Sequence, residues 1–286
     1  MKFRVVLQFF SLLLVGAMNV SCTVLQWRSS DTEITEHFNS LEIPTRISYF
    51  EVDSLKLNIR IQHIEKSENT IDLVFFHGSP SSLSAWNGYL TDTLLAQKAN
   101  MHAVDRPGYG YSNFGKAMPS IQQQAQLMSA LIHSNDFRNV ILIGSSYGGP
   151  LVAEIAALNQ NIKAIVMISP AIDPEQEKKI WASRLTQWWA TRWLVPTGYR
   201  VAGDEKTVHA QELALLEKDW SNVNIPIIHI HGDQDDIVPY GNVDYTAKAF
   251  PNITIITTPD TGHEIAWKRP ELIKPHLYRL LDQLTE

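Results

Sequence analysis

A single cysteine, Cys22, stands in 286 residues. That excludes internal disulfides and any cysteine-rich metal site. Lys and Arg total 24 against 30 Asp and Glu, a formal charge of −6, and no block of basic residues occurs. The chain therefore lacks the cationic patch from which nucleic-acid binding starts. Glycine and proline, 14 each, are too few for a collagenous or low-complexity chain. Core-forming material, by contrast, is plentiful: apolar residues make up 44% and charged residues 19%, which rules out global disorder and suits one large domain.

The chain opens Met1-Lys2-Phe3-Arg4 and then runs apolar from Val5 to Met18, interrupted by Gln8, Ser11 and Gly16. Two positive charges ahead of about a dozen apolar residues form the first two regions of a secretory signal. The run is short of the roughly 20 residues that a spanning helix needs. Val20-Ser21-Cys22 follows and resembles the bacterial lipoprotein signal, in which the cysteine is lipidated and becomes the new N-terminus. Asn19 departs from that pattern, which prefers Leu there. The expectation is a signal peptide over 1–21 and an exported, membrane-anchored protein held through Cys22. A plainly cleaved signal or an uncleaved anchor are the alternatives. Residues 22–47 are polar around Ser29-Ser30-Asp31-Thr32-Glu33 and read as a tether or loosely packed leader.

From Ser48 the chain alternates. Tyr49–Val52 and Leu57–Ile64 read as a strand pair turning through Asp53-Ser54. Ile71–Phe76, Met101–Asp105, Val140–Gly144, Ile162–Ile168, Ile225–Ile230 and Ile253–Thr257 read as further strands, most of them continuous apolar runs of the buried kind. Between them Leu83–Ala99, Pro119–Ser134, Tyr147–Asn159, a segment after Pro239 and Ile265–Leu284 have helical spacing. Residues 171–222 break the rhythm. They hold five of the eight tryptophans (Trp181, Trp188, Trp189, Trp193 and Trp220) and read as short helices without strands. Strand–helix repetition with one helical insertion predicts an α/β fold: an eight-stranded, mostly parallel, doubly wound sheet with helices on both faces and a cap at about 171–222. The tryptophans are expected either to pack the cap onto the core or to wall an apolar substrate pocket.

Gly144-Ser145-Ser146-Tyr147-Gly148 fits G-x-S-x-G between a strand and a helix. A strand-to-helix turn that tight needs small flanking residues, and it thrusts its central residue, Ser146, outward. The helix N-terminus behind it offers free N–H groups to a developing oxyanion. His77-Gly78-Ser79-Pro80 follows one strand and Asp105-Arg106-Pro107-Gly108-Tyr109-Gly110-Tyr111-Ser112 the next. In their order and spacing, over about residues 49–286, these motifs resemble the α/β-hydrolase fold superfamily. The resemblance implies an oxyanion hole from the backbone N–H groups of Ser79 and Tyr147. His77 would brace that loop rather than catalyse. Ser145 stands where many members have His, at a position that varies among them.

The same resemblance places an acid and a base after the nucleophile. His231-Gly232-Asp233-Gln234-Asp235-Asp236-Ile237-Val238-Pro239 matches the family's Gly-x-x-Asp-x-x-Val-Pro with Asp235 as the acid, Asp236 being the adjacent alternative. Thr261-Gly262-His263-Glu264 supplies the base, His263. The implied activity is that of a serine hydrolase, a carboxylesterase-like enzyme acting on a small and apolar ester, thioester or lactone, with no metal or organic cofactor. A serine at the elbow separates it from the epoxide hydrolases and haloalkane dehalogenases, which use Asp. C–C bond hydrolysis, perhydrolysis, or a non-catalytic binding protein on the same scaffold are the other readings. His229-Ile230-His231-Gly232-Asp233 also matches H-x-H-x-D, the opening ligand set of metallo-β-lactamase-like hydrolases, but Gln234 stands where that set continues with His.

Overall fold

The computed structural model describes residues 27–178 and 183–285. The expected signal peptide over 1–21, Cys22 and Trp181 lie outside them. Eight strands form one sheet: β1 (Arg46–Val52), β2 (Leu57–Ile64), β3 (Asp72–Phe76), β4 (Asn100–Val104), β5 (Val140–Ser145), β6 (Ile162–Ile168), β7 (Ile227–Gly232) and β8 (Ile253–Thr258). Their order is β1-β2-β4-β3-β5-β6-β7-β8. β2 runs antiparallel to both its neighbours, and the six strands from β3 to β8 are mutually parallel.

Strand alternation divides the core in two. On β3, Val74 and Phe76 join Met128, Leu131 and Leu151 under the helices Ile121–Ser134 and Gly148–Leu158. Leu73 and Phe75 join Trp86, Tyr89 and Leu277 on the other face, under the helices Asn87–Leu90 and Pro270–Thr285. All five residues of β3 are buried, which is why its sequence is an unbroken apolar run after Asp72. The chain leaves β3 for β4 on one flank and returns to β5 on the other. The C-terminal ends of β3 and β5 therefore open a crevice at the point where winding reverses, the place where open α/β sheets bind ligands.

Several expectations need correction. The leader is not loose: Asp31–Ser40 is a helix that buries Ile34 and Phe38 in the second core. Ser30 and Glu33 close it as a reciprocal capping box, with Glu33 N–H donating to Ser30 Oγ (3.2 Å) and Ser30 N–H to Glu33 Oε2 (2.6 Å). Leu83–Ala99 is not one helix but a 3₁₀ turn and two short helices, because Asp92 caps a new start by accepting from the N–H groups of Leu94 and Leu95. The closing helix is likewise divided, into Ile265–Lys268 and Pro270–Thr285, since the residue before a proline disfavours the helical region.

The cap is not uniformly short-helical. Ser183–Gln187 and Trp189–Arg192 are short, but Thr197–Trp220 is a 24-residue helix. Its buried stripe runs Val201, Glu205, His209, Leu213, Leu216, Trp220 at helical spacing. Two polar side chains in that stripe hide the apolar period from the sequence. The second half of this helix belongs to the core, where Trp220 stacks on Phe250 at 5.9 Å. The first half roofs the crevice.

Candidate active site

The elbow after β5 leaves no room for side chains beside it. A Cβ on Gly144 would lie 2.1 Å from the Gly148 carbonyl oxygen, one on Gly148 2.3 Å from that of Phe76, and one on Gly149 2.3 Å from Pro170 Cβ. Ser146 itself takes φ 54°, in the left-handed region that a residue with a Cβ avoids. Its N–H donates to Ile168 O at 3.0 Å, and its carbonyl accepts from Gly149 N at 2.9 Å and Ala171 N at 3.2 Å, so the strained turn is held on both sides. The Ser145 hydroxyl is buried in the interior without a hydrogen-bond partner. Ser146 instead lines a cavity of about 600 Å³ beneath the cap. The two adjacent serines thus face opposite ways.

The loop after β3 closes over Ser146. A Cβ on Gly78 would stand 3.0 Å from Ser146 Cβ, so glycine permits this approach. Ser79 and Tyr147, on the two sides of the crevice, both line the cavity. His77 supports the loop from below: its Nδ1–H donates to Gly78 O (2.7 Å) and its Nε2 accepts from Arg106 N–H (3.0 Å). Burial and the neighbouring Arg106 charge hold it well below the usual histidine range, neutral as these bonds require.

Asp235 and His263 come from the loops after β7 and β8, at the same edge of the sheet. His263 Nδ1–H donates to Asp235 Oδ2 at 2.8 Å, while Asp235 Oδ1 accepts from Ile237 N (3.0 Å) and Val238 N (2.8 Å). Burial would raise the Asp235 carboxyl, but the bonds from His263 and Val238 outweigh it and hold it below the ordinary aspartate value. Asp233 and Asp236 are exposed. Gly232 lets the two loops meet, because a Cβ there would lie 2.2 Å from Thr261 O.

His229 and His231 do share a face of β7, as alternation requires, with Nε2 and Nδ1 2.9 Å apart. Their remaining nitrogens are also occupied, by Thr246 Oγ1 at 2.7 Å and Val238 O at 3.1 Å, and Asp233 does not join them. This is a hydrogen-bonded buttress beneath Asp235, not an H-x-H-x-D ligand set. At the opposite end of the sheet, His63 and His102 approach Nδ1 to Nδ1 at 2.9 Å, backed by Ser48 and Asp72.

The cavity departs from the expected tryptophan wall. No tryptophan lines it among the described residues; its apolar surface comes from Leu185, Val195, Tyr199, Ala202 and Ile237. Of the two expectations for the tryptophans, Trp220 meets the first by packing into the core, whereas Trp188, Trp189 and Trp193 face outward and meet neither. Sequence reasoning also missed Glu205. This buried carboxylate on the cap helix pairs with buried Arg106 (Oε1–Nη1 2.7 Å) and accepts from the hydroxyls of Ser79 (2.7 Å) and Tyr109 (2.6 Å) and from Gln124 Nε2 (3.1 Å). One residue thereby ties the roof to the loop over Ser146. The only trace in the sequence is a carboxylate four residues from Val201 and from His209 on one helical stripe.

A model of the alpha/beta hydrolase family matches residues 73–274. Pimeloyl-[acyl-carrier protein] methyl ester esterase of Nitrosomonas europaea is 22% identical over 248 residues, covering 73% of this chain and 95% of that one. Among solved structures, a membrane phospholipase A described as a bacterial virulence factor superposes with a TM-score of 0.68 at 18% identity, over 100% of both chains. A serine hydrolase from the polyaromatic-hydrocarbon-degrading bacterium Cycloclasticus zankles superposes at 0.65 with 17% identity, over 84% of this chain and 99% of that one. The family match begins in the strand that carries the loop over Ser146 and extends past His263, taking in β3 to β8 and leaving β1 and β2 outside: the chain belongs to the alpha/beta hydrolase family.

Proposed function

We propose that this hydrolase is an exported serine esterase that cleaves a small carboxylic ester, thioester or lactone through an acyl-enzyme. The observation that carries this reading is the His263–Asp235 bond at 2.8 Å, at the sheet edge where strained Ser146 faces the cavity. With Nδ1 held by Asp235, His263 has Nε2 free to take the proton as Ser146 Oγ attacks the acyl carbon. The N–H groups of Ser79 and Tyr147 receive the oxyanion. The proton then passes from His263 to the leaving oxygen or sulfur, and a water deprotonated by the same nitrogen releases the acid and Ser146. Asp235 stabilises the imidazolium in both halves. The name of one curated relative, a methyl ester esterase, supports the ester as the bond class.

A fluorophosphonate probe should label the wild type at Ser146, as read by peptide mass spectrometry, and labelling at another serine or none would refute the assignment. The apolar lining favours apolar acyl groups, at about 0.8 kcal/mol per buried methylene, so kcat/KM should rise up to about fourfold per added CH₂ until the cavity fills. Export and anchoring are tested separately. The mature protein should fractionate with membranes, and Cys22→Ala should release it or leave it unprocessed. A wild type fully soluble in the exported fraction would leave a plain signal.

A further inference from the structure

The cap exposes a face whose three tryptophans serve neither the core nor the cavity. Within ten residues, Leu185, Trp188, Trp189, Trp193 and Leu194 are 39, 56, 82, 72 and 63% exposed. Three large, outward indoles on one four-residue helix and its two caps are far more than a water-facing insertion needs, and such concentrations mark interaction surfaces. The charge around them is one-sided. Over residues 183–203 stand Arg184, Arg192 and Arg200 and no Asp or Glu, in a chain whose net charge is −6. Arg192 is engaged by Asp204, but Arg184 is exposed.

This face adjoins the entrance to the site. Leu185 and Tyr199 are both exposed to solvent and part of the cavity lining. The described chain also begins here, with the Trp27 ring 5.2 Å from that of Tyr199. The apolar run ending at Met18 precedes Trp27 by nine residues. Even fully extended, that much chain spans only about 30 Å. Whatever holds the N-terminus at a bilayer therefore holds the cap near it.

From this we infer that the Leu185–Leu194 face is a lipid-docking surface, seated among the headgroups of an anionic bilayer so that acyl esters reach Ser146 from the membrane. Tryptophan suits the role because its ring is apolar while its N–H satisfies the polar interface, and cations beside it meet anionic headgroups. The inference rests on the esterase reading for its substrate and on the cap surface alone for its docking.

The test uses the full chain in vesicles of equimolar phosphatidylcholine and phosphatidylglycerol, part of the lipid carrying acyl-chain bromine. Tryptophan fluorescence of the wild type should be quenched, and Trp189→Ser combined with Trp193→Ser should remove most of that quenching. Both sites are largely exposed, so the fold should tolerate the change. With a long-chain umbelliferyl ester dissolved in the vesicles, the double variant should lose on the order of tenfold in rate. With monodisperse p-nitrophenyl butyrate it should stay within about twofold of wild type, since neither residue lines the cavity. Unchanged quenching and unchanged vesicle rate would overturn the docking surface. So would equal losses on both esters, which would make the tryptophans supports of the cap. A wild-type dimer that the double variant dissociates, without bromolipid quenching, would assign the face to a second copy and overturn it too. A wild type that hydrolyses neither ester would refute the esterase reading instead, leaving quenching to judge docking.

Discussion

Removing Glu205 would cost the fold more than any surface change, because it strips a buried cation of its counter-charge. Arg106 is fully buried, and its guanidinium donates to His77 O (2.8 Å), Gly78 O (3.0 Å) and Gln124 Oε1 (3.0 Å) besides Glu205. Burial works against its charge, and the adjacent Glu205 carboxylate more than offsets that. In Glu205→Ala the carbonyls remain, but no anion does. Breaking one half of a buried pair costs about 3–5 kcal/mol. For a domain of this size each kcal/mol lowers Tm by roughly 2–4 °C, so the expected drop is about 6–20 °C. Thermal melts followed by far-UV circular dichroism at pH 7 read that drop, and urea unfolding reads the free energy. Glu205→Gln keeps an acceptor without the charge and should recover part of the loss. Arg106→Met combined with Glu205→Met should cost clearly less than the sum of the two single changes, because neither charge is then left buried alone. A Glu205→Ala protein within about 1 kcal/mol of wild type would show that the pair contributes nothing that solvent cannot replace.

Ser146→Ala should lower kcat by about 10⁴-fold or more with folding intact, while Ser145→Ala should cost at most a few-fold; the reverse ranking in ester turnover would move the nucleophile. Asp235→Asn should remove most of the activity and Asp236→Asn little, as steady-state kinetics on one ester would read, since Asp235 is the aspartate bonded to His263. Phe38→Ala should destabilise by about 3–5 kcal/mol in the same urea assay, because the residue is fully buried; a silent variant would return 31–40 to the status of a leader. Acid should weaken the fold well above the carboxylate range. Burial, aided by the His102 and Arg46 charges, lowers His63 from 6.5 to about 2, so below pH 6.5 the unfolded chain binds a proton that the folded one does not. Stability is full above that pH and falls by about 1.4 kcal/mol per unit beneath it, or roughly 2 kcal/mol by pH 5 from this histidine alone. Equal unfolding free energies at pH 7 and pH 5 would contradict it.

The helical leader and the long cap helix show where local reading stopped short. Ser30 and Glu33 stand at capping-box spacing ahead of Ile34 and Phe38, so the start of the helix is legible, but only two apolar residues, Ile34 and Phe38, mark its buried face and the polar composition around them masks it. At Thr197–Trp220 the apolar period was hidden by buried polar residues. Glu205 and His209 occupy buried positions that apolar periodicity would assign to core, and their partners Arg106, Ser79 and Ala171 are distant in sequence.

The succession of strands and helices, and Ser146, Asp235 and His263 as candidates, were legible in the sequence alone. Each rests on a short-range rule: unbroken apolar runs for strands buried on both faces, small residues around a tight elbow, and a fixed succession of loops at one sheet edge. Tertiary structure decided which of two adjacent serines faces the cavity and which of three neighbouring aspartates reaches His263. It also showed that Trp188, Trp189 and Trp193 of the cap point outward and that a cap carboxylate braces the loop over Ser146. Those outcomes depend on which chemically equivalent side chain meets a partner some 20 to 130 residues away, as in Asp235 with His263 and Ser79 with Glu205. Periodicity can specify a face of a strand or helix, but what that face meets is set only when the chain closes on itself.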